Sequence, residues 1–477
     1  MISLITKLLI LFFILICVLT FFLTVRNKNN HGFVLFIYTL IFAYTVGQGI
    51  YYANNYPGTS PDETAHISYI YYLDTYGDII PHFENMHLFN AAPMKWSDEN
   101  YIYIETSYNY LCHPPLYYQI MRLAGGFSST DTEYVIHIDK LQLRYFSMII
   151  GCIGLLILLY IGFSRIDKSQ LWLHLLYATA VTSVPLLSFE LCAVTNDVLA
   201  IVTGSLCILG LIRFCEGKRG YLTYTLIAMG ITASLLTKMT TAMLCVIMSL
   251  IVLLITIIKE HNVLASFKKE FWLTTPIYLI ALGYYGIIYA RYGVLQPSLE
   301  LISSTEYLQS TTFYTAPEYR TAMTMSQYIG YYFTQFFKSW SGIVADVILA
   351  KVSIWDKFAL ASEALWFIPV LLFIPTIKKS ADKLALPIIS GWIACIITLI
   401  IQIKSAYGTF LTRGYLGGFN SRYYFPLMAI FGLAAVFVFR GIRFKNNIAS
   451  KCLIIIALLF SFALFMGGLP FCLIYFG

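Results

Sequence analysis

The chain has 477 residues, of which 59% are hydrophobic, 17% aromatic and only 12% charged. A soluble protein carries about twice that charged fraction, so an ordinary soluble fold is excluded. The formal net charge of +7 is spread over short loops between apolar runs, which excludes a nucleic-acid footprint.

Apolar runs of about 18 or more residues recur from end to end, each long enough to cross a bilayer as a helix. They predict one integral membrane domain over 1–477, an all-α polytopic protein of about twelve transmembrane helices with two structured outer loops. The predicted spans are 3–25, 32–52, 142–164, 170–189, 195–214, 220–237, 240–258, 271–290, 361–377, 384–403, 423–439 and 452–473. The first is long for a signal peptide, and no small-residue cleavage site follows FFLTVRNKNN, so it is kept as a span.

Alternate loops collect the cations: RNKNNHG, RIDKSQ, CEGKRG, KEHNVLASFKKE, KKSADK and RGIRFKNNIASK. With the adjoining span ends they hold 17 Lys and Arg against 5 Asp and Glu, whereas the rest holds 14 against 19. The positive-inside rule places these six loops in the cytoplasm and both termini outside. The expected location is the cell membrane, multi-pass, with the lipid bilayer as partner and no nucleic acid. The ten cysteines form neither a disulfide framework nor a CxxC metal pattern.

The first outer segment, 53–141, opens on SPDETAH at 60–66. Locally this is a helix start, with Ser60 as cap, Pro61 in the first turn and Glu63 closing a capping box. On that helix Asp62, Glu63 and His66 share one side. A carboxylate beside a low-dielectric cavity also suits general-base chemistry, and Asp62 is the sharper candidate. HPPLYYQI at 113–120 follows, where two prolines set a turn before an aromatic helix. Tyr117 and Tyr118 read as interface aromatics, and His113 as part of a rigid loop or a binding group. Five of the eight histidines fall in this segment. They match no compact ligand spacing, so no metal ligand is assigned.

TND at 195–197 starts the fifth span. Thr195 or Asn196 suits a cap and Asp197 a first turn. An acid costs roughly 2.5–3.5 kcal/mol at mid-membrane and less at the edge, and such residues commonly face water-filled cavities. Lys238, in LLTKMT, interrupts an apolar hairpin on the same side; it either snorkels to the interface or meets an anionic headgroup. The second outer segment, 291–360, contains SQYIGYYFTQFFKSW. Tyr328, Tyr332, Phe336 and Trp340 recur there at helical spacing, which predicts an amphipathic helix in the outer interface. Arg413 and Arg422 flank the start of the eleventh span, and a guanidinium suits bidentate contact with phosphate.

PDETAH, HPPLYY, TND, LLTKMT, SWSG and SRYYFP occur together in this order. Over roughly residues 32–440 the chain resembles a bacterial and archaeal membrane family of unknown function marked by Pro-Asp-Glu-x-x-His. That family is grouped with the C-type glycosyltransferase superfamily, alongside protein O-mannosyltransferases and aminoarabinose transferases. The resemblance implies a polyprenyl-phosphate-linked sugar as donor, used on the outer face with inversion at the anomeric carbon. It maps the acidic catalytic group to Asp62, with Glu63 and His66 adjacent, and the donor phosphate to Lys238 and Arg422, with Arg413 nearby. It leaves a divalent metal open.

His113, Asn196 and Asp197 are then expected to line the substrate site, and Tyr117 and Tyr118 to form a sugar-binding wall. With no large soluble domain at the C-terminal end, a cell-envelope glycan or lipid-linked acceptor is favoured over a polypeptide. Two alternatives stand beside this reading. A transporter or flippase of lipid-linked oligosaccharide predicts charges deep in several spans and internal symmetry; the charges here cluster at the outer rim and no repeat is present. A polysaccharide polymerase or ligase would use the same outer loops on a larger donor.

Overall fold

The computed structural model describes residues 4–26, 30–55, 62–91, 100–129, 135–261, 267–340, 354–368 and 383–475. In chain order the elements are α1 (Leu4–Val25), α2 (His31–Asn55), α3 (Glu63–Tyr76), β1 (His87–Ala91), β2 (Asn100–Tyr108), α4 (Leu116–Met121), β3 (Phe127–Ser129), β4 (Val135–Ile138), α5 (Lys140–Arg165), α6 (Leu171–Thr182), α7 (Pro185–Glu190) and α8 (Asp197–Cys215). There follow α9 (Tyr221–Leu235), α10 (Met239–Glu260), α11 (Lys269–Tyr292), α12 (Leu299–Ile302), α13 (Thr305–Ser310), α14 (Met325–Trp340), α15 (Ile354–Glu363), α16 (Ala385–Arg413), α17 (Met428–Gly441) and α18 (Asn447–Tyr475). Short 3-10 turns intervene, including Ser421–Leu427 before α17.

Among the described residues nine helices are long and apolar enough to cross a membrane: α1, α2, α5, α8, α10, α11, α16, α17 with its leading 3-10 turn, and α18. The shorter apolar helices α6 and α9 stand at two further predicted spans. The remaining predicted span, 361–377, falls partly outside the described residues. The protein is a polytopic helical membrane protein.

One predicted span differs in form. The run at 170–189 is two helices, because Pro185 cannot continue α6 and holds Val184 in an extended conformation. The short α7 that results ends on Glu190. Among the nine long helices, α8 and the segment Ser421–Gly441 are the most enclosed, and Thr195, Asn196, Asp197, Ser421 and Arg422 at their starts are all buried. α8 and α9 pack backbone to backbone: a Cβ added at Gly230 would sit 2.6 Å from the Cys207 nitrogen, a small-residue contact of the kind membrane helices favour.

The two ends of the bundle differ in character. At one end Arg165 and Lys218 reach Glu216 at 2.7 and 2.9 Å, Lys383 reaches the Glu216 carbonyl at 3.2 Å, and Arg219 pairs with Glu260. Four of the six basic loops therefore meet there. α8 has 19 residues and spans about 28 Å, which separates this basic end from Asp197 at the other.

At the second end the described part of the first outer segment carries a small sheet beside its helices. A four-stranded antiparallel sheet, in the order β1-β2-β4-β3, folds beside α3. The backbone register pairs Phe89 of β1 with Tyr103 of β2, and Tyr101 of β2 with Ile136 of β4. The sheet is tied to α3 by Phe89 N–H, which donates to Ser68 Oγ at 2.9 Å. Asn109 Nδ2 donates to the Ala65 carbonyl at 2.8 Å.

α14 matches the periodicity read from its sequence. Tyr328, Tyr332, Phe336 and Trp340 are its buried residues, stacked on one face by the four-residue repeat. They pack against Tyr407, Tyr424 and Trp366 at ring separations of 5.1, 5.6 and 5.2 Å. Ser339 Oγ lies 2.9 Å from Ser421 Oγ, and this anchors the turn that carries Arg422.

Candidate active site

Asp62 is the N-cap of α3, in the left-handed region at φ 66°, ψ 4°. A non-glycine residue there costs on the order of 1 kcal/mol, which Asp tolerates better than most. Its side chain makes no capping bond. Oδ1 accepts from the Tyr110 hydroxyl at 2.6 Å, and Oδ2 lies 2.7 Å from Arg422 Nη2. The expected capping box is not the arrangement found: the helix begins at Glu63, and Ser60 and Pro61 lie outside the described residues.

Glu63 turns the other way. Its carboxylate is fully buried and takes a bidentate grip from Arg144, at 2.9 Å to Nε and 2.7 Å to Nη2. Val194 N–H also donates to it at 3.3 Å. The structure makes Glu63 a strut between α3, α5 and the segment before α8, and takes it out of the set of groups a substrate can reach.

Arg422 stands at the centre of three carboxylates. Nη2 meets Asp62, Nη1 lies 3.3 Å from Glu190 Oε1, and Nε lies 3.2 Å from Asp197 Oδ2. Lys238 completes the cluster by pairing with Asp197 Oδ1. The Tyr423 ring lies near both cations, with its centroid 4.3 Å from Lys238 Nζ and 5.9 Å from Arg422 Cζ. Exposure separates the acids: the side chain of Asp62 is 34% exposed, that of Asp197 2% and that of Glu190 0%. Asp62 is therefore the member a solute can touch.

The same geometry revises the expected phosphate grip. Arg422 already shares its fork among carboxylates, while Lys238 neither snorkels nor stands alone. Arg413 is outside the cluster, paired with Glu300, and its carbonyl accepts from Thr315 N–H at 2.8 Å.

Tyr117 and Tyr118 are fully buried and form no exposed wall. Tyr117 hydroxyl lies 3.0 Å from Ser147 Oγ. Tyr118 stacks on Tyr69 at 3.7 Å, and its hydroxyl lies 2.9 Å from His66 Nδ1. Tyr118 thus holds His66, which stacks loosely with His113 at 6.4 Å. Asn196 sits at the α8 N-cap without capping it: Nδ2 donates to the Thr237 carbonyl at 3.1 Å. The Thr195 hydroxyl instead accepts from Asp197 N–H at 3.4 Å.

Burial alone would raise the Asp62 pKa, but the Arg422 guanidinium, the Tyr110 hydroxyl and His66 together hold it at about 2. Burial lowers His66 to about 3, against the pull of Asp62. Burial, followed by the Lys238 charge, lowers His113 to about 4. At neutral pH the site thus holds an ionised Asp62 beside two uncharged imidazoles.

Next to the cluster lies a cavity of about 280 Å³, lined by His113, Lys238, Gln296, Gln402, Tyr415 and Tyr423 among others. His113 Nδ1 is buried without a hydrogen-bond partner. Tyr110 packs on Phe313 at 4.7 Å and Phe313 on Tyr415 at 5.2 Å, an aromatic chain that runs from the Asp62 side to the cavity. Among the described residues no group of three or more His, Cys, Asp or Glu side chains is arranged to hold a metal ion.

Sequence reading missed Glu190, Tyr110, Arg144, Tyr415 and Tyr423. Glu190 had a usable signal, as the acid in the apolar run SFELCAV. The aromatic residues had none, because they are three of the chain's 37 tyrosines.

No family model matches the chain, and no curated protein matches it. Two solved structures are similar, both of ArnT from Cupriavidus metallidurans, one in the apo state and one bound to undecaprenyl phosphate. They share 11% and 12% sequence identity with the chain, at TM-scores of 0.37 and 0.38, over 84% of this chain and 76% of theirs. Overlap at this level assigns neither family nor chemistry to the chain.

Proposed function

We propose that this protein is a membrane glycosyltransferase that moves a sugar from a polyprenyl-phosphate donor to an acceptor hydroxyl on the outer face. The acceptor class is a cell-envelope glycan or a lipid-linked glycan. The observation that carries the reading is Asp62: one accessible, ionised carboxylate in an otherwise buried charge cluster, beside a polar cavity that holds Lys238. The side of the membrane follows from charge. The basic end reads as cytoplasmic by the positive-inside rule, which puts the cluster and both termini outside.

In this mechanism the acceptor oxygen attacks the anomeric carbon in line as the bond to the phosphate oxygen breaks, with inversion. An alcohol becomes strongly acidic once it bonds to that carbon. A carboxylate with a pKa of about 2 therefore still accepts its proton late in the step. Arg422 keeps Asp62 ionised and aimed. The leaving polyprenyl phosphate is placed in the cavity, where Lys238 supplies positive charge and the neutral His113 an N–H donor. Lys238 and His113 retain the binding roles read from the sequence; Arg422 acts on Asp62 instead of on the donor.

The test compares native membranes carrying wild type or Asp62→Asn at matched expression. Mass spectrometry follows the polyprenyl-phosphate sugars and the envelope glycans. Accumulation of one lipid-linked sugar, with loss of that sugar from a glycan, is the expected result and names both substrates. No change in either pool would refute the reading.

A further inference from the structure

Glu190 is an unusual place for a charge. It ends α7, flanked by the buried Phe189, Leu191 and Cys192, and is itself fully buried. One oxygen, Oε1, lies 3.3 Å from Arg422 Nη1, and the other, Oε2, is buried without a hydrogen-bond partner. Removing a carboxylate from water this completely is costly, and one long contact returns little of that cost. A purely structural role is better served by an apolar side chain of similar volume.

Arg422 offers the explanation. A guanidinium is a planar fork, so contacts on two of its nitrogens fix the direction of the third. Nη1 donates to Glu190 on α7, while Nε faces Asp197 on α8 at 3.2 Å as an ion contact without hydrogen-bond geometry; the bond on Nη1 helps aim Nη2 at Asp62. We propose that Glu190 is a positioning residue: through Arg422 it sets where the Asp62 carboxylate points and keeps it paired. This rests on the reading of Asp62 as the reacting carboxylate, but the geometric claim is testable without any substrate. The charged and titratable groups facing Glu190 are Arg422, Asp197, Lys238 and Tyr117; those facing Asp62 are Arg422, Tyr110, His66, His113, Tyr118 and Tyr415.

The experiment measures how fast Asp62 in the purified full-length protein is modified by a water-soluble carbodiimide with glycine ethyl ester, across pH, read by peptide mass spectrometry. In wild type the pairing with Arg422 confines rapid labelling to strongly acidic solution. Glu190→Ala should move the profile up by about one pH unit or more, as Arg422 swings off Asp62. Glu190→Gln, whose side-chain carbonyl still accepts from Nη1, should restore most of the wild-type profile. Glu190→Asp keeps the charge but withdraws it by one methylene, and serves if the alanine variant does not fold; it should shift in the same direction as alanine.

Where transfer is assayed, Glu190→Ala should lower kcat on the order of 10- to 100-fold at unchanged donor KM. A Glu190→Ala profile, or a Glu190→Asp profile where only that variant folds, that superimposes on wild type would overturn the proposal. If the profile moves but Asp62→Asn leaves the lipid-linked sugars untouched, the positioning claim stands and the transferase reading falls. If Asp62→Asn blocks transfer and the profile does not move, the reverse holds.

Discussion

Arg422 Nη2 lies 2.7 Å from Asp62 Oδ2 although 360 residues separate them in the chain. The contact joins the start of α3 to the turn before α17, and makes Asp62 both ionised and directed. Asp62→Asn keeps a residue that tolerates the left-handed backbone at φ 66° but removes the charge. Transfer should fall by about 100-fold or more, consistent with loss of a positioned proton acceptor. Because this carboxylate is one-third exposed, stability should fall by only about 1 kcal/mol. Transfer assays and thermal melts on the same preparation check the two together; a stable variant with full activity would remove Asp62 from the chemistry.

Asp197 sits between the two cations, with Oδ1 on Lys238 and Oδ2 on Arg422. In the proposed mechanism it opposes donor binding, since it neutralises the lysine that meets the phosphate. Asp197→Asn should therefore tighten donor binding by up to about tenfold, equivalent to about 1.4 kcal/mol, with kcat little changed because the amide keeps an oxygen for Arg422. Lys238→Ala should do the opposite to KM. Titrating the lipid-linked donor against both variants separates these effects. Equal donor affinity in both would rule out the phosphate role of Lys238.

The membrane spans were legible because a run of apolar residues has one physical consequence in a bilayer, and the face of α14 was legible because Tyr328, Tyr332, Phe336 and Trp340 repeat every four residues. The break at Pro185 was legible in principle, since proline cannot continue α6, but the apolar run around it hid the stop. The sheet carried a signal in the alternation of YIYI at 101–104, short and set in a segment rich in aromatics throughout. The roles of Arg422 and Glu63 were not legible. Each has a locally sensible reading, as a phosphate grip and a helix-start acid, and only the approach of distant helices, Glu190 lying 232 residues from Arg422, assigns them different partners.

His66 and His113 make stability depend on pH. Their folded pKa values, about 3 and about 4, lie below the ordinary 6.5, so between these values the unfolded chain binds protons that the folded one does not. Stability is therefore retained at neutral pH and lost as pH falls through the range from about 6.5 to 4. Each histidine contributes up to about 1.4 kcal/mol per pH unit within that window. Melting temperatures in detergent at pH 7, 6 and 5 should decline progressively, and His113→Gln should reduce the slope by about one proton. An unchanged slope would mean that His113 is already charged in the folded protein.

The Glu63–Arg144 pair supports Asp62 from the adjacent residue, and its burial makes a specific pattern of stabilities. Both groups are nearly inaccessible, at 0% and 8% side-chain exposure. Removing one partner strands the other charge, so Arg144→Leu and Glu63→Leu should each cost about 3–5 kcal/mol. The double variant, with neither charge, should recover much of that loss, because a well-packed apolar pair replaces a buried ion pair at little net cost. A double-mutant cycle on thermal or denaturant unfolding yields the coupling. The recovered double variant then isolates the effect on chemistry. Its α3 is no longer tied to Arg144 and to Val194 N–H, so Asp62 loses the neighbour that fixes its left-handed backbone, and kcat should remain depressed despite restored stability. Full recovery of both would show that Arg422 and Tyr110 alone are enough to place Asp62.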